Sequence, residues 1–165
     1  ENVPREGAFL LVVNHLSIFE PPLVFVNFPR QMVIFVADKW RTTPGLAQLL
    51  NAVGAVWVAR GEADTAAIKA SLAHLKAGRV LGLAPEGTRS RAGGLQKGKA
   101  GAAYLADRAG VPILPVGIAG TEQIARNLKR LRRTPVRVVV GQPFRLPADG
   151  RAKADKLEEH TDLIM

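Results

Sequence analysis

The sequence predicts an α/β fold, a single domain with a mainly parallel central sheet flanked by helices. Short apolar runs alternate with longer segments of helical character along all 165 residues, the pattern of successive strand-helix units. A hydrophobic content of 47% supplies one substantial core for a chain of this length. No internal repeat, low-complexity tract or long linker divides the sequence, so one domain is expected over residues 1–165.

Taken in order, Ala8-Phe9-Leu10-Leu11-Val12-Val13 is apolar without alternation, the signature of a strand (8–13) buried on both faces of a parallel sheet. Pro21 and Pro22 push the residues before them out of helical geometry and suit the first turn of the helix expected over 22–28. Strand 31–37, helix 44–52 and the short strand 55–58 continue the alternation. Within the helix expected over 62–77, Ile68, Leu72 and Leu75 recur at intervals of four and three residues, as on a helix packed against a sheet. Arg79-Val80-Leu81-Gly82-Leu83-Ala84 gives the strand at 79–84. Helix 98–109, strand 112–118, helix 121–130, strand 135–141 and helix 151–164 complete the order.

Open α/β sheets bind ligands beyond the carboxyl ends of their strands, and Asn14-His15-Leu16-Ser17-Ile18-Phe19-Glu20 follows the first strand directly. Glu20, at a loop-to-helix junction, can fold back to accept a hydrogen bond from one imidazole nitrogen of His15. The other nitrogen is then left to take a proton from a hydroxyl. The same residues also suit a strand-end histidine bonded to backbone and a glutamate favoured at a helix N-terminus. Ser17 reads as a local capping group.

A second cluster, Pro85-Glu86-Gly87-Thr88-Arg89-Ser90, follows the strand at 79–84. Glu86, Thr88 and Arg89 offer an acceptor, a hydroxyl and a guanidinium, and Gly87 lets a ligand come close to the backbone. A guanidinium fork and free backbone amides suit a phosphate. Alone, the segment fits equally well a solvated turn with a local Glu to Arg pair.

With both clusters present in this order, the chain resembles the glycerolphosphate acyltransferase family, most of all its 1-acylglycerol-3-phosphate (lysophosphatidate) acyltransferases. The resemblance covers nearly the whole chain. The family's Asn-His-x4-Asp block matches Asn14 to Glu20, its glycine-to-arginine block matches Gly54 to Arg60, and Pro85 to Ser90 match without a change. Val111-Pro112-Ile113-Leu114-Pro115-Val116 matches a fourth block. The chain departs in having Glu20 where most of the family has aspartate, Ala59 in place of an acidic residue and Ala84 in place of an aromatic. Glutamate adds one methylene, about 1.5 Å of reach.

The resemblance implies direct transfer of a fatty acyl group from an acyl thioester, acyl-CoA or acyl-carrier protein, to the hydroxyl of a phosphate-bearing glycerolipid. In that reading His15 is the general base and Glu20 orients it. Asn14, Arg60, Glu86, Gly87, Thr88 and Arg89 are the implied substrate-binding residues, with Arg60 and Arg89 holding the acceptor phosphate. Lys39 and Lys97 are implied phosphate contacts, for which a solvated surface role is the alternative. No cofactor or metal is expected, and neither a Gly-x-Ser-x-Gly elbow nor a His-Glu-x-x-His pattern occurs. With no cysteine there is no thiol nucleophile. A catalytically detuned phospholipid-binding module and a thioesterase activating water through His15 are the competing readings.

The net charge of +9 and the basic segment Arg126 to Arg137 point to an anionic partner. A membrane surface is expected, with roughly 1 kcal/mol from each Lys or Arg near it and Leu128 and Leu131 dipping into the interface; the alternative is a solvated basic face. Nucleic acid is not expected, because aromatics make up only 5% of the chain and give no stacking platform. No apolar run reaches the roughly 18 residues of a membrane-spanning helix, and Leu23 to Ala37 is interrupted by Asn27, Pro29 and Arg30. A peripheral or monotopic location at the cytoplasmic face of a membrane is therefore expected. The chain is expected to be an excised or trimmed domain.

Overall fold

The structure, a computed structural model, describes residues 2–59, 64–90, 94–147 and 152–165. The strands are β1 (Leu10–Val13), β2 (Met32–Ala37), β3 (Val56–Val58), β4 (Val80–Leu83), β5 (Ile113–Ala119) and β6 (Arg137–Val140). They form one sheet in the order β3-β2-β4-β1-β5-β6. All pairs are parallel except β5 with β6, which is antiparallel. The helices are α1 (Glu20–Asn27), α2 (Leu46–Ala52), α3 (Thr65–Lys76), α4 (Gly101–Ala109), α5 (Ile124–Leu128) and α6 (Ala154–Ile164). The α/β class and the mainly parallel sheet flanked by helices are as expected.

The unbroken apolar run of β1 explains its place. Leu10 pairs with Leu81 on one side and with Ile113 on the other, so β1 is central and needs apolar side chains on both faces. Because successive side chains alternate, Leu10 and Val12 join Val33, Leu81 and Ile113 in a core covered by Leu75 of α3 and Leu105 of α4. Phe9 and Leu11 join Met32, Val80 and Leu114 in a second core, with Val24 of α1. Asp64 starts α3 by accepting a hydrogen bond from Ala67 N at 2.9 Å, a side-chain N-cap. It also accepts one from Ala59 N at 3.0 Å, which ties the end of β3 to the helix. The Ala67 amide, and after it the Ala59 amide, hold the Asp64 carboxyl below its usual range.

Element boundaries differ from expectation: the helix expected over 98–109 begins at Gly101 and the one expected from 44 at Leu46, and a 3-10 turn not expected lies at Asp38–Trp40. Helix α1 begins at Glu20, two residues early, with Pro21 and Pro22 inside its first turn, where a missing N–H costs nothing. The helix expected over 121–130 divides into a 3-10 turn, Thr121–Gln123, and the short α5. The glycine before this division, Gly120, has φ +94, and a Cβ there would collide with the Pro135 carbonyl. Residues 62, 63 and 151, expected at the starts of helices, lie outside the described residues. The consequence for function is geometric, since parallel strands send the segments after β1, β2, β4 and β5 out of one edge of the sheet. Arg137 pairs with Ala119, so β6 starts at that same edge.

Candidate active site

Leaving β1, the chain turns so that His15 Nδ1 lies 2.7 Å from Glu20 Oε2. Glu20 is 1% exposed and every contact to its carboxylate comes from a donor. The amides of Leu16 (3.0 Å) and Ser17 (2.7 Å) bond to it, and so does the hydroxyl of Thr121 from the far end of β5. A carboxylate beside Nδ1 can only accept, so the Nδ1 proton faces Glu20 and Nε2 is turned away from it. The longer acid is thus fully engaged, its extra reach taken up by the turn it folds back onto and by Thr121.

The second cluster holds the first. Glu86, also 1% exposed, accepts hydrogen bonds from His15 N at 2.9 Å and Gln96 N at 3.1 Å. The amide of Ser90 donates to His15 O at 2.7 Å, so both backbone polar groups of His15 are bonded to the Pro85–Ser90 loop. On the other flank, the Asn14 amide donates to Ile118 O (2.8 Å) and accepts from Ile118 N (2.7 Å). It thereby extends the β1–β5 pairing by one side chain. Glu86, expected to line the acceptor pocket, is thus bonded to the His15 and Gln96 amides, and Asn14, expected to contact substrate, is bonded to Ile118. The polar atoms of both side chains are engaged with backbone groups, and they position the base.

His15 lines a cavity of about 680 Å³, with Leu11, Met32 and Ile34 from the α1 side of the sheet and Leu105 from the α4 side, within the usual range for ligand pockets. Its mouth carries Gly87, Thr88 and Lys99, and Asp64 and Tyr104 lie on its far wall. Gly87 has φ +68, and a Cβ there would lie 3.0 Å from Lys99 Cδ and 3.2 Å from Nζ. The lysine side chain therefore lies across the loop's glycine. Arg89 is exposed beside Thr88, its carbonyl bonded to Gln96 Nε2 at 3.2 Å.

Lys97 and Lys39 lie elsewhere. Lys97 pairs with Glu158 of α6 at 3.0 Å, a partner that raises its pKa. Lys39 is exposed, with its ammonium 5.2 Å from the Trp40 ring centroid. Among the described residues, the cation lining the cavity is Lys99, two residues from the lysine that the sequence suggested. Thr121 was also missed, and in both cases the sequence carries no local signal. Arg60, expected to hold phosphate, lies outside the described residues.

A histidine–carboxylate pair at the carboxyl edge of an α/β sheet, beside an apolar cavity that a lysine also lines, has the make-up of an enzyme's active site. Within that class, the chain belongs to the acyltransferase family, whose sequence profile, described as Acyltransferase, matches residues 1–119. It is 31% identical over 157 residues to the 1-acyl-sn-glycerol-3-phosphate acyltransferase of Escherichia coli, covering 93% of this chain and 60% of that one. The protein of the same name from Borreliella burgdorferi is 30% identical over 124 residues, 73% of this chain and 49% of that one. The fold is similar to the crystal structure of the 1-acyl-sn-glycerophosphate (LPA) acyltransferase PlsC from Thermotoga maritima. There the TM-score is 0.74 at 25% identity, over 99% of this chain and 65% of that chain. The chain thus spans about half to two thirds of the length of these relatives.

Proposed function

We propose that the protein moves a fatty acyl group from an acyl thioester, acyl-CoA or acyl-carrier protein, to the free hydroxyl of 1-acylglycerol 3-phosphate, giving phosphatidic acid. The observation that carries this reading is the His15–Glu20 pair at 2.7 Å opening on an apolar cavity with Lys99 at its mouth. Nε2 of His15 takes the proton of the acceptor hydroxyl as its oxygen attacks the thioester carbonyl carbon. Glu20 stabilises the imidazolium that forms. Collapse of the tetrahedral intermediate breaks the C–S bond, and the imidazolium returns the proton to the leaving sulfur. Lys99, with Thr88, Arg89 and the Gly87 backbone, holds the acceptor phosphate by charge and hydrogen bonds.

Lys99→Ala is then expected to raise KM for the acceptor tenfold or more, for a charge-assisted bond worth about 1.5–3 kcal/mol. Lys97→Ala should change it little, because its exposed ion pair lies away from the cavity. Steady-state kinetics with varied lysophosphatidate separates the two lysines.

An anionic membrane surface is the proposed platform, met in a peripheral or monotopic manner at the cytoplasmic face. Leu128 is 65% and Leu131 95% exposed, and Lys129, Arg130, Arg132 and Arg133 are exposed beside them. This loop follows β5 at the sheet edge that carries His15. Among the described residues no helix is long and apolar enough to cross a membrane.

The deciding measurement is free-thiol release from palmitoyl-CoA in detergent micelles, with and without lysophosphatidate. Release that needs both the acceptor and His15 establishes the transferase. Release without acceptor identifies a thioesterase, and phosphatidic acid binding without turnover identifies a binding module.

A further inference from the structure

A parallel sheet normally has helices over both faces, yet among the described residues one face of β5 and β6 keeps exposed positions. Along β5, Val116 and Ile118 are buried while Gly117 and Ala119 between them are exposed. In register beside them on β6 lie Val139, 58% exposed, and Arg137. These four residues floor a groove of about 430 Å³, walled by Ile164 of α6.

The groove does not stand apart from the catalytic centre. Val13 and Pro85 line both it and the larger cavity, and the consecutive residues Asn14 and His15 line one each. Two apolar spaces therefore converge on the base, and the reaction proposed above brings together two acyl chains. The chemistry of the substrates assigns them. The donor's chain begins at the carbonyl carbon under attack, so it must run from His15 into the cavity that His15 lines. The acceptor's chain begins four bonds from the reacting oxygen, through two glycerol carbons and an ester oxygen. It can therefore lie in the space that opens one residue beyond the base. Arg137, at the carboxyl-edge rim and with no ion-pair partner among the described residues, favours a lipid whose anionic head stays at the edge while its tail lies along the sheet.

We propose that the β5–β6 groove binds the acyl chain of the lysophospholipid acceptor, an assignment that rests on the acyltransferase reading. Gly117 makes it testable, because it lines the groove and a Cβ built there meets nothing within 4 Å. Gly117→Leu is expected to raise KM for 1-oleoyl lysophosphatidate about tenfold, the loss for roughly two methylenes kept from burial. KM for a hexanoyl lysophosphatidate, too short to use the groove, and for palmitoyl-CoA should not move. A rise in the donor's KM instead, or no change in any of them, overturns the assignment; the latter leaves the face to a protein segment or a partner. Binding of a fluorescent long-chain lysophosphatidate, read by titration, keeps the two readings apart. Binding weakened by Gly117→Leu but retained in His15→Ala supports the groove even where no turnover occurs. Binding indifferent to Gly117→Leu sinks the groove while leaving the catalytic reading intact.

Discussion

His15→Ala and Glu20→Gln are each expected to lower kcat by about 10³-fold, and the double variant is expected to be little worse than either. Without the imidazole, the described residues lining the cavity include no other histidine to take the hydroxyl proton. Without the carboxylate, the imidazole remains but its tautomer is no longer fixed. The side-chain amide introduced by Glu20→Gln must satisfy Nδ1–H together with the Leu16 and Ser17 amides and the Thr121 hydroxyl that now bond to the acid. Its NH₂ accepts from none of them. Flipping to suit one donor set therefore offends the other, and a ring turned to accept at Nδ1 presents a protonated Nε2 to the substrate. Glu20→Asp is the subtler variant. It withdraws the carboxylate by about 1.5 Å, and a misplacement of that order costs about a hundredfold in rate. Kinetics on folded variants checks all three. Additive losses in the double variant would mean that the two residues do not act as one unit, and a Glu20→Asp enzyme faster than the original would mean that the longer acid is a handicap.

How much of this was legible in the sequence follows from the range of the interactions involved. The alternation of strands and helices is a local pattern, and so is the reach of Glu20 back to His15 across five residues; both were readable. What joins His15 to Glu86 is the register that pairs Leu11 with Gly82 and Val12 with Leu83, a tertiary fact spanning 71 residues. Thr121 meets Glu20 across 101 residues by the same means, through the pairing of β1 with β5. Lys97 and Lys99 show the limit most plainly. They lie in an irregular segment with no helical or strand period to say which way each points, and the fold sends one to Glu158 and the other to the cavity. The uncovered face of β5 was hidden for a similar reason. Ile113 to Ala119 reads as an apolar strand whether or not a helix lies over it, and only the packing shows that Gly117 and Ala119 are exposed.

Glu86→Ala should cost more stability than any other single change at the site, about 2–4 kcal/mol. It leaves the amides of His15 and Gln96 without their acceptor, at roughly 1–3 kcal/mol for each polar group so stranded. For a chain of this size the loss corresponds to a fall in Tm of roughly 5–15 °C, measurable by thermal unfolding. Activity should fall with it, since the His15 backbone would be held only through its carbonyl, bonded to Ser90 N. Glu86→Gln keeps an acceptor for one of the two amides and should lie between. Had Glu86 met the acceptor directly, as its neighbours Gly87 and Thr88 are proposed to do, the signature would be different: a raised acceptor KM with Tm unmoved. A Tm that survives Glu86→Ala would overturn the positioning role. Neither cluster is then sufficient alone. The Asn14–Glu20 loop brings the base and its carboxylate but cannot fix the backbone that carries them, and the Pro85–Ser90 loop brings the acceptor and donor that do. The catalytic geometry is thus a property of the parallel register between β1 and β4, which sets the two loops side by side.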